Sequence, residues 1–250
     1  MTQLTSNSPV EALLLDIEGT TTPIDFVYSV LFPYAKENAR RFLTAHRSLP
    51  SVQEDITGLL EENTSDVEHG NAPPPIEGSA TSASIETISN YVSWLIDRDR
   101  KTTALKSLQG KIWEEGYRKG DLRSRVFGDV APAFARWRAH GKKIYIYSSG
   151  SVLAQKLLFG NTEAGDLTPL IGGYFDTKIG AKKQSDSYRR IAAKLNLEGS
   201  SITFVSDVVD ELDAAASVGF RTVLCVRPGN PQQRASSGHV IKMSFDELFP

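Results

Sequence analysis

The stretch Ala12-Leu13-Leu14-Leu15-Asp16-Ile17-Glu18-Gly19-Thr20-Thr21 decides how the chain is read. Its apolar start, Ala12 to Leu15, predicts a short buried strand. Two carboxylates separated by one residue follow at once, and Gly19-Thr20-Thr21-Thr22-Pro23 breaks the strand. Acids at the carboxyl end of a buried strand stand where open α/β sheets bind ligands. Asp16 and Glu18 alternate by two, so an extended backbone puts their side chains on one face. Carboxylates that close repel unless a proton or a cation lies between them, which points to a hard, oxygen-seeking ion such as Mg²⁺. In that setting one carboxylate suits attack on phosphorus and the other suits proton transfer. The same residues also describe a strand that simply ends in solvated acids before a turn.

Composition narrows the class. The 250 residues can bury a sizeable core, as one large domain or as a domain with an insertion. A net charge of −2 supplies no global basic field for nucleic acid. Cys225 is the single cysteine, which excludes an internal disulfide and suits a reducing compartment. Met1 to Pro9 is polar, without the apolar core of a signal peptide. No apolar run approaches the roughly 20 residues of a membrane span. A soluble cytoplasmic protein that engages neither membrane nor nucleic acid is expected, with the nucleus as a second admissible location.

Outward from the opening stretch, Pro23 to Phe32 is mixed apolar and aromatic, and Pro33 opens a predicted helix through Leu43. Val52 to Glu62 reads as a further short helix, with Asn63 ending it in a left-handed conformation. From Thr64 to Ser84 the composition turns to Gly, Pro, Ser, Thr and acids, which predicts a flexible loop. Ile85, Ile88, Tyr91, Val92, Leu95 and Ile96 form a helical stripe, and Thr102 to Tyr117 predicts one more helix.

After Gly128 strands and helices alternate. Val130 to His140 reads as a helix stopped by Gly141, and Lys143 to Tyr147 as a strand that ends in Ser148-Ser149-Gly150-Ser151. Val152 to Phe159 continues as a helix, so the hydroxyls sit at a helix N-terminus, either as an anion site or as an ordinary serine cap. Tyr174-Phe175-Asp176 reads as a short strand or turn. A lysine-bearing loop, Lys178 to Lys183, precedes a helix from Ser185 to Leu195. A lysine there can neutralise a phosphoryl oxygen, although isolated lysines also serve as plain surface groups. Ile202 to Val205 predicts a strand ending in Ser206-Asp207-Val208-Val209-Asp210-Glu211, followed by a helix from Leu212 to Val218. These acids suit metal ligation and equally suit the dipole at a helix start. Thr222 to Val226 is the last strand read, and Arg227-Pro228-Gly229-Asn230 is expected to turn away.

Such alternation implies a parallel sheet with right-handed connections, and it gathers every polar cluster at the carboxyl ends of the strands. An acid pair, an anion site, a cation and a second acid group are the parts of a Mg²⁺-assisted phosphoryl transfer.

In this order the clusters resemble the haloacid dehalogenase superfamily of aspartyl-phosphate phosphatases. Glu18, where most of those phosphatases carry Asp, narrows the resemblance to the enolase-phosphatases of methionine salvage. Arg100-Lys101-Thr102-Thr103-Ala104-Leu105-Lys106, Tyr147-Ser148-Ser149-Gly150-Ser151, Gln155-Lys156-Leu157-Leu158-Phe159-Gly160 and Phe175-Asp176-Thr177-Lys178-Ile179-Gly180 point the same way. The similarity runs from about Glu11 to Leu248 and leaves out Thr64 to Ser84. It implies an α/β, Rossmann-like parallel sheet with helices on both faces, formed by residues 10–23 and 128–250. A mostly helical cap from 24 to 127 would be inserted into it.

The resemblance also implies roles. Asp16 would be the nucleophile and a metal ligand, and Glu18 the acid/base whose backbone carbonyl faces the metal. Ser148 and Ser149 would hold phosphate. Asp207 would ligate one Mg²⁺ per chain, with Glu211 in support. Among Lys178, Lys182 and Lys183, the family's aromatic residue six places after the phosphate lysine selects Lys182, because Tyr188 stands there. The implied substrate is a small phosphorylated diketone, 2,3-diketo-5-methylthiopentyl-1-phosphate. It would be enolised and dephosphorylated to the acireductone 1,2-dihydroxy-3-keto-5-methylthiopentene by a monomeric enzyme. Another phosphatase of a small metabolite is the alternative. His46, His69, His140 and His239 lie outside every motif and are expected on the surface.

Overall fold

A computed structural model describes residues 9–230 and 238–249. The reading of the polar N-terminus therefore lies almost wholly outside the described residues. The chain packs as two units, Met1–Phe26 with Arg123–Pro250, and Val27–Leu122. Among the described residues, no helix is long and apolar enough to cross a membrane.

In chain order the elements are β1 (Ala12–Leu15), α1 (Ile24–Phe26), α2 (Phe32–His46), α3 (Pro50–Glu68), α4 (Ile85–Ile96), α5 (Thr103–Lys119), α6 (Val130–Ala139), β2 (Lys143–Tyr147), α7 (Val152–Gly160), β3 (Gly173–Phe175), α8 (Ser185–Leu195), β4 (Ile202–Ser206), α9 (Val209–Ala216), β5 (Arg221–Cys225) and β6 (Val240–Lys242). The strands form one sheet in the order β3-β2-β1-β4-β5-β6, and every neighbouring pair is parallel. The parallel α/β sheet expected from the alternating pattern is present. The edge strand β6 was not read from the sequence, because Val240–Lys242 is too short to show a period.

β1 explains the architecture. All of its side chains are fully buried, as a central parallel strand covered on both faces requires. Leu13 and Leu15 pack with Phe134, Trp137, Ile144, Ile146, Phe159 and Phe245 on one face. Ala12 and Leu14 pack with Tyr188, Ile191, Phe204, Leu212 and Phe220 on the other. Helices α6 and α7 thus cover one face, and α8 and α9 cover the other. Each Leu sealed in this way contributes about 1.5–3 kcal/mol. Leu15 is in register with Ile146 of β2 and Val205 of β4. The ends of these three strands therefore come level at one sheet edge. β2 and β3 lie to one side of β1 and β4 to β6 to the other, which makes that edge the crevice of an open α/β sheet.

The helical unit runs from Val27 to Leu122, shorter at both ends than the 24–127 expected. Two readings within it are corrected. Asn63 does not end a helix, since α3 continues to Glu68. The flexible loop expected over 64–84 is also not one throughout. Asn63 is buried and donates from Nδ2 to the Pro74 carbonyl at 2.9 Å. The buried Asp66 carboxylate accepts from Arg100 Nη1 at 3.0 Å, the Tyr91 hydroxyl at 2.6 Å and Asn71 Nδ2 at 2.8 Å. Arg100 Nη2 also reaches Glu62 Oε1 at 2.9 Å. The Ala80 carbonyl is gripped by Arg47, at 2.8 Å from Nη2 and 3.0 Å from Nε. Polar composition misled because these polar groups bond one another inside the unit rather than meeting water.

The Arg100-Lys101-Thr102 motif begins with this ion pair, so Arg100 acts structurally here. Asp66→Ala is expected to lower the unfolding free energy by about 2–3 kcal/mol, the scale for hydrogen bonds to a charged group. Urea denaturation measures this, and a loss below about 0.5 kcal/mol would show that the cluster is idle. Excising the whole of 64–84 would remove the same carboxylate.

The histidine expectation holds for His69 and His140, which are exposed. It fails for His239, whose side chain is only 6% exposed and lies between Thr222 Oγ1 at 2.8 Å and Asp213 Oδ1 at 3.0 Å. His46 is half-buried against Glu115 Oε2 at 2.8 Å.

Candidate active site

Asp16 directly follows β1, Ser148 directly follows β2, and Ser206 and Asp207 close β4. All four are buried. The backbone N–H of Asp16 still pairs with the Val205 carbonyl at 3.0 Å, so the residue is fixed by the sheet itself.

The Asp16 carboxylate is bonded on both oxygens. Oδ1 accepts from Lys182 Nζ at 2.5 Å and from the Ile17 N–H at 2.8 Å. Oδ2 accepts from Ser206 Oγ at 3.2 Å. Lys182 also reaches Glu211 Oε2 at 2.6 Å. Burial alone would lower the Lys182 ammonium, but the charges of Asp16 and Glu211 overcome it and hold the ammonium above its ordinary value. Lys182 is therefore a permanent cation beside Asp16.

The loop before α8 delivers it. Gly180 has φ +143°, and a Cβ there would meet Ser187 Oγ at 2.2 Å, so only glycine fits. The Tyr147 hydroxyl donates to the Gly180 carbonyl at 2.8 Å, and the Tyr188 hydroxyl to the Lys182 carbonyl at 2.7 Å. The spacing of six residues between Lys182 and Tyr188 thus has a physical content: the aromatic hydroxyl pins the backbone of the lysine.

Lys183 points elsewhere. It is exposed and pairs with Asp210 at 2.8 Å. Lys178 is likewise exposed. Lys182→Ala is expected to slow turnover by roughly a hundredfold or more, the scale for one preorganised electrostatic group. Lys183→Ala is expected to change it by less than about twofold, as for an exposed ion pair. Initial rates of phosphate release on the paired variants decide; equal losses would refute the assignment.

Ser148 and Ser149 lie in the turn between β2 and α7. Ser148 Oγ accepts from the Gly150 N–H at 3.1 Å, and its own N–H bonds the Phe175 carbonyl of β3 at 3.2 Å. The ordinary helix cap is Ser151, whose Oγ accepts from the Ala154 N–H at 3.2 Å. Capping of α7 therefore falls to Ser151. The buried Gln155 braces the turn from α7, donating from Nε2 to the carbonyls of Gly150 at 2.9 Å and Phe175 at 2.8 Å.

Glu18 is half-buried in the turn after β1 and forms an isolated bridge with Thr22. The N–H groups of Thr20, Thr21 and Thr22 all converge on the Ile17 carbonyl, at 3.2, 3.0 and 2.9 Å. Three successive carbonyls of the turn are held from outside. Gly19 accepts from Asn230 Nδ2 at 2.8 Å, Thr20 from Arg227 Nε at 3.1 Å, and Thr21 from the Phe127 N–H at 3.0 Å. The expectation that Arg227-Pro228-Gly229-Asn230 turns away is thereby corrected, since this segment turns toward the site. Arg227 is buried, its guanidinium lies 4.5 Å and 4.6 Å from the ring centres of Phe127 and Phe245, and Nη1 pairs with Asp129 Oδ2 at 2.6 Å. A tight Pro-Gly turn gives no sign in sequence of where its flanking side chains reach.

Asp207 is buried against the Gly19 turn. Burial, then the negative charge of Asp16, push its carboxyl up to about 7. Glu211 is raised for the same two reasons despite its contact with Lys182. Expected to support a metal ligand, it accepts from Ser206 Oγ at 3.1 Å and pairs with the lysine. The site therefore holds three carboxylates against one ammonium, a surplus of negative charge that a divalent cation would relieve. Among the described residues no group of three or more His, Cys, Asp or Glu side chains forms a metal cage. Carboxylate oxygens suit Mg²⁺, which keeps several waters and needs no full protein cage.

A family model described as haloacid dehalogenase-like hydrolase matches residues 10–219. The enolase-phosphatase E1 of Synechococcus elongatus is 50% identical over 239 residues, covering 96% of this chain and 98% of that protein. Enolase-phosphatase E1 of Xenopus tropicalis is 47% identical over 225 residues, covering 89% of this chain and 87% of that protein. Among solved structures, the UTR4 protein of Saccharomyces cerevisiae superposes with a TM-score of 0.75 at 33% identity, over 96% of this chain and 100% of that one. The chain belongs to the haloacid dehalogenase-like hydrolases and, within them, to the enolase-phosphatase E1 family.

Proposed function

We propose that this chain converts 2,3-diketo-5-methylthiopentyl-1-phosphate to the acireductone and inorganic phosphate in methionine salvage, by enolisation followed by phosphate transfer through an aspartyl-phosphate. The observation that carries this reading is the buried Asp16–Lys182–Glu211 cluster at the ends of β1 and β4, level with the Ser148 turn.

Asp16 is the nucleophile. One of its carboxylate oxygens bonds to phosphorus as the ester oxygen departs, and Glu18 gives that oxygen a proton. Glu18 then takes a proton from the water that cleaves the acyl-phosphate bond, releasing phosphate and restoring both carboxyl groups. Lys182 offsets the charge of the phosphoryl oxygens, and Ser148 and Ser149 orient the group. Asp16, Asp207 and the Glu18 carbonyl would hold Mg²⁺, whose Lewis acidity polarises ketone and phosphoryl oxygens when bound. The enolisation needs a base beside the carbon next to the ketone; Glu18 is the candidate from this chain.

The helical unit Val27–Leu122 takes the part of the inserted cap, supported by its separate packing between Phe26 and Arg123. The single, buried Cys225 supports a cytoplasmic setting.

The test is incubation of the purified protein with the diketo phosphate and Mg²⁺, following enol and acireductone absorbances separately. Enol appearing before acireductone is expected. Hydrolysis of an aryl phosphate with no action on the diketo phosphate would show a phosphatase of another metabolite.

A further inference from the structure

We propose that Asn230 is a positioning residue that holds Asp207 against the turn carrying Glu18, and that it thereby sets the affinity of the site for its divalent cation. The inference rests on the reading of Asp207 as a metal ligand. Asn230 lies beyond β5, far in sequence from both groups it touches. Its Nδ2 donates to the Gly19 carbonyl at 2.8 Å and faces Asp207 Oδ2 at 3.3 Å. A primary amide has two N–H groups on that nitrogen, so both oxygens can be served at once.

Gly19 makes the arrangement sterically possible. Its φ of +72° is left-handed, and a Cβ there would stand 2.4 Å from Asp207 Oδ2 and 2.9 Å from Asn230 Nδ2. The absent side chain is thus the space in which the carboxylate and the amide meet. Asn230 occupies part of one Asp207 oxygen and leaves its remaining lone pairs for a cation. It also ties the main chain next to Glu18, whose carbonyl is assigned to the same ion. One amide therefore orients two of the groups that the reading gives to the metal. Arg227, three residues earlier, fixes the Thr20 carbonyl at 3.1 Å and is itself locked by Asp129 at 2.6 Å, so the turn bearing Asn230 is anchored from both sides.

Partners that orient a metal ligand without touching the metal typically change metal affinity 10- to 100-fold when removed. Asn230→Ala is expected to raise the dissociation constant for Mg²⁺ by about that factor, with most of kcat recovered at saturating Mg²⁺. The measurement is calorimetric titration of the full-length, metal-free protein with MgCl₂, alongside Mn²⁺ titration by electron paramagnetic resonance and thermal unfolding without metal. Should Asn230→Ala not fold, Asn230→Ser serves in its place, because a hydroxyl has one proton and cannot satisfy both oxygens.

An unchanged dissociation constant would overturn the proposal, whether or not the melting temperature falls. Asp207→Ala separates this inference from the reading beneath it. If the native protein binds Mg²⁺ and Asp207→Ala does not, while Asn230→Ala binds normally, the inference alone fails. If the native protein binds no divalent cation, the reading fails and the inference with it.

Discussion

Asp16→Asn is expected to be inert while remaining folded. An amide oxygen is a poor nucleophile toward phosphorus, and no neighbouring carboxylate occupies the same place at the end of β1. The loss should reach about 10⁴-fold or more, the scale on which removing a covalent catalyst acts. The structure shows why folding survives. Lys182 Nζ and the Ile17 N–H both donate to Oδ1, so the amide oxygen must take that side. The amide nitrogen then faces Ser206 Oγ, 3.2 Å from the present Oδ2. A hydroxyl can turn from donor to acceptor, and its proton remains available to Glu211 at 3.1 Å. Substitution also removes one of three crowded carboxylates, and that relief offsets the weaker bond to Lys182. The check has two arms, phosphate release over hours and a melting curve without metal. Mass analysis of rapidly quenched native enzyme should place a covalent phosphate on Asp16. Finding it on any other residue would sink the mechanism.

Most of the fold could be read because β1, β2 and β4 announce themselves. Ala12–Leu15 is an unbroken apolar run and Ile202–Val205 is broken only by Thr203, the pattern of strands covered on both faces. Helix boundaries in the sheet-bearing unit fall near Gly141 and Gly219, where glycine marks a stop. The reading failed where polarity is internal. Asn63 and Asp66 look like loop residues from composition alone, yet both are buried because Pro74, Tyr91, Asn71 and Arg100 satisfy them. No local pattern reports partners such as Tyr91 and Arg100, which lie 25 and 34 residues from Asp66.

The site divides in the same way. Asp16, Ser148 and Asp207 could be placed because strand ends fix them, and the sheet register then brings those ends level. Lys182 needed a spacing rule, and the Tyr188 hydroxyl on its backbone carbonyl gives that rule its cause. Ser206 and Gln155 stood inside quoted motifs without a role. Their contributions depend on which carbonyl or carboxylate lies opposite, and that is a tertiary fact. Arg227 and Asn230 were misplaced altogether, since a turn after the last strand read gives no direction.

Glu18→Gln is the sharpest test of how proton transfer is divided. Its side chain reaches one methylene further than the Asp found in most of the superfamily, from a turn whose next three carbonyls are each held by Asn230, Arg227 and Phe127. Such a turn has little freedom, so substitution of the side chain should leave the main chain in place. If the Glu18 carbonyl is what meets Mg²⁺, the glutamine variant binds the ion almost normally and loses only the exchangeable proton. Phosphate release is then expected to fall by about two to four orders of magnitude, and phospho-Asp16 should accumulate because no base activates the second water. Enolisation splits the outcomes further. Survival of enol formation in Glu18→Gln would remove Glu18 as its base and direct the search to other side chains or to bound water. Loss of both absorbance changes together would mean that one carboxylate serves both proton transfers. The measurement pairs Mg²⁺ titration of the purified variant with single-turnover recording of the two absorbances. Weak Mg²⁺ binding, with near-native rates once the metal is saturating, would refute the proton-transfer role and make the Glu18 carboxylate itself a metal ligand.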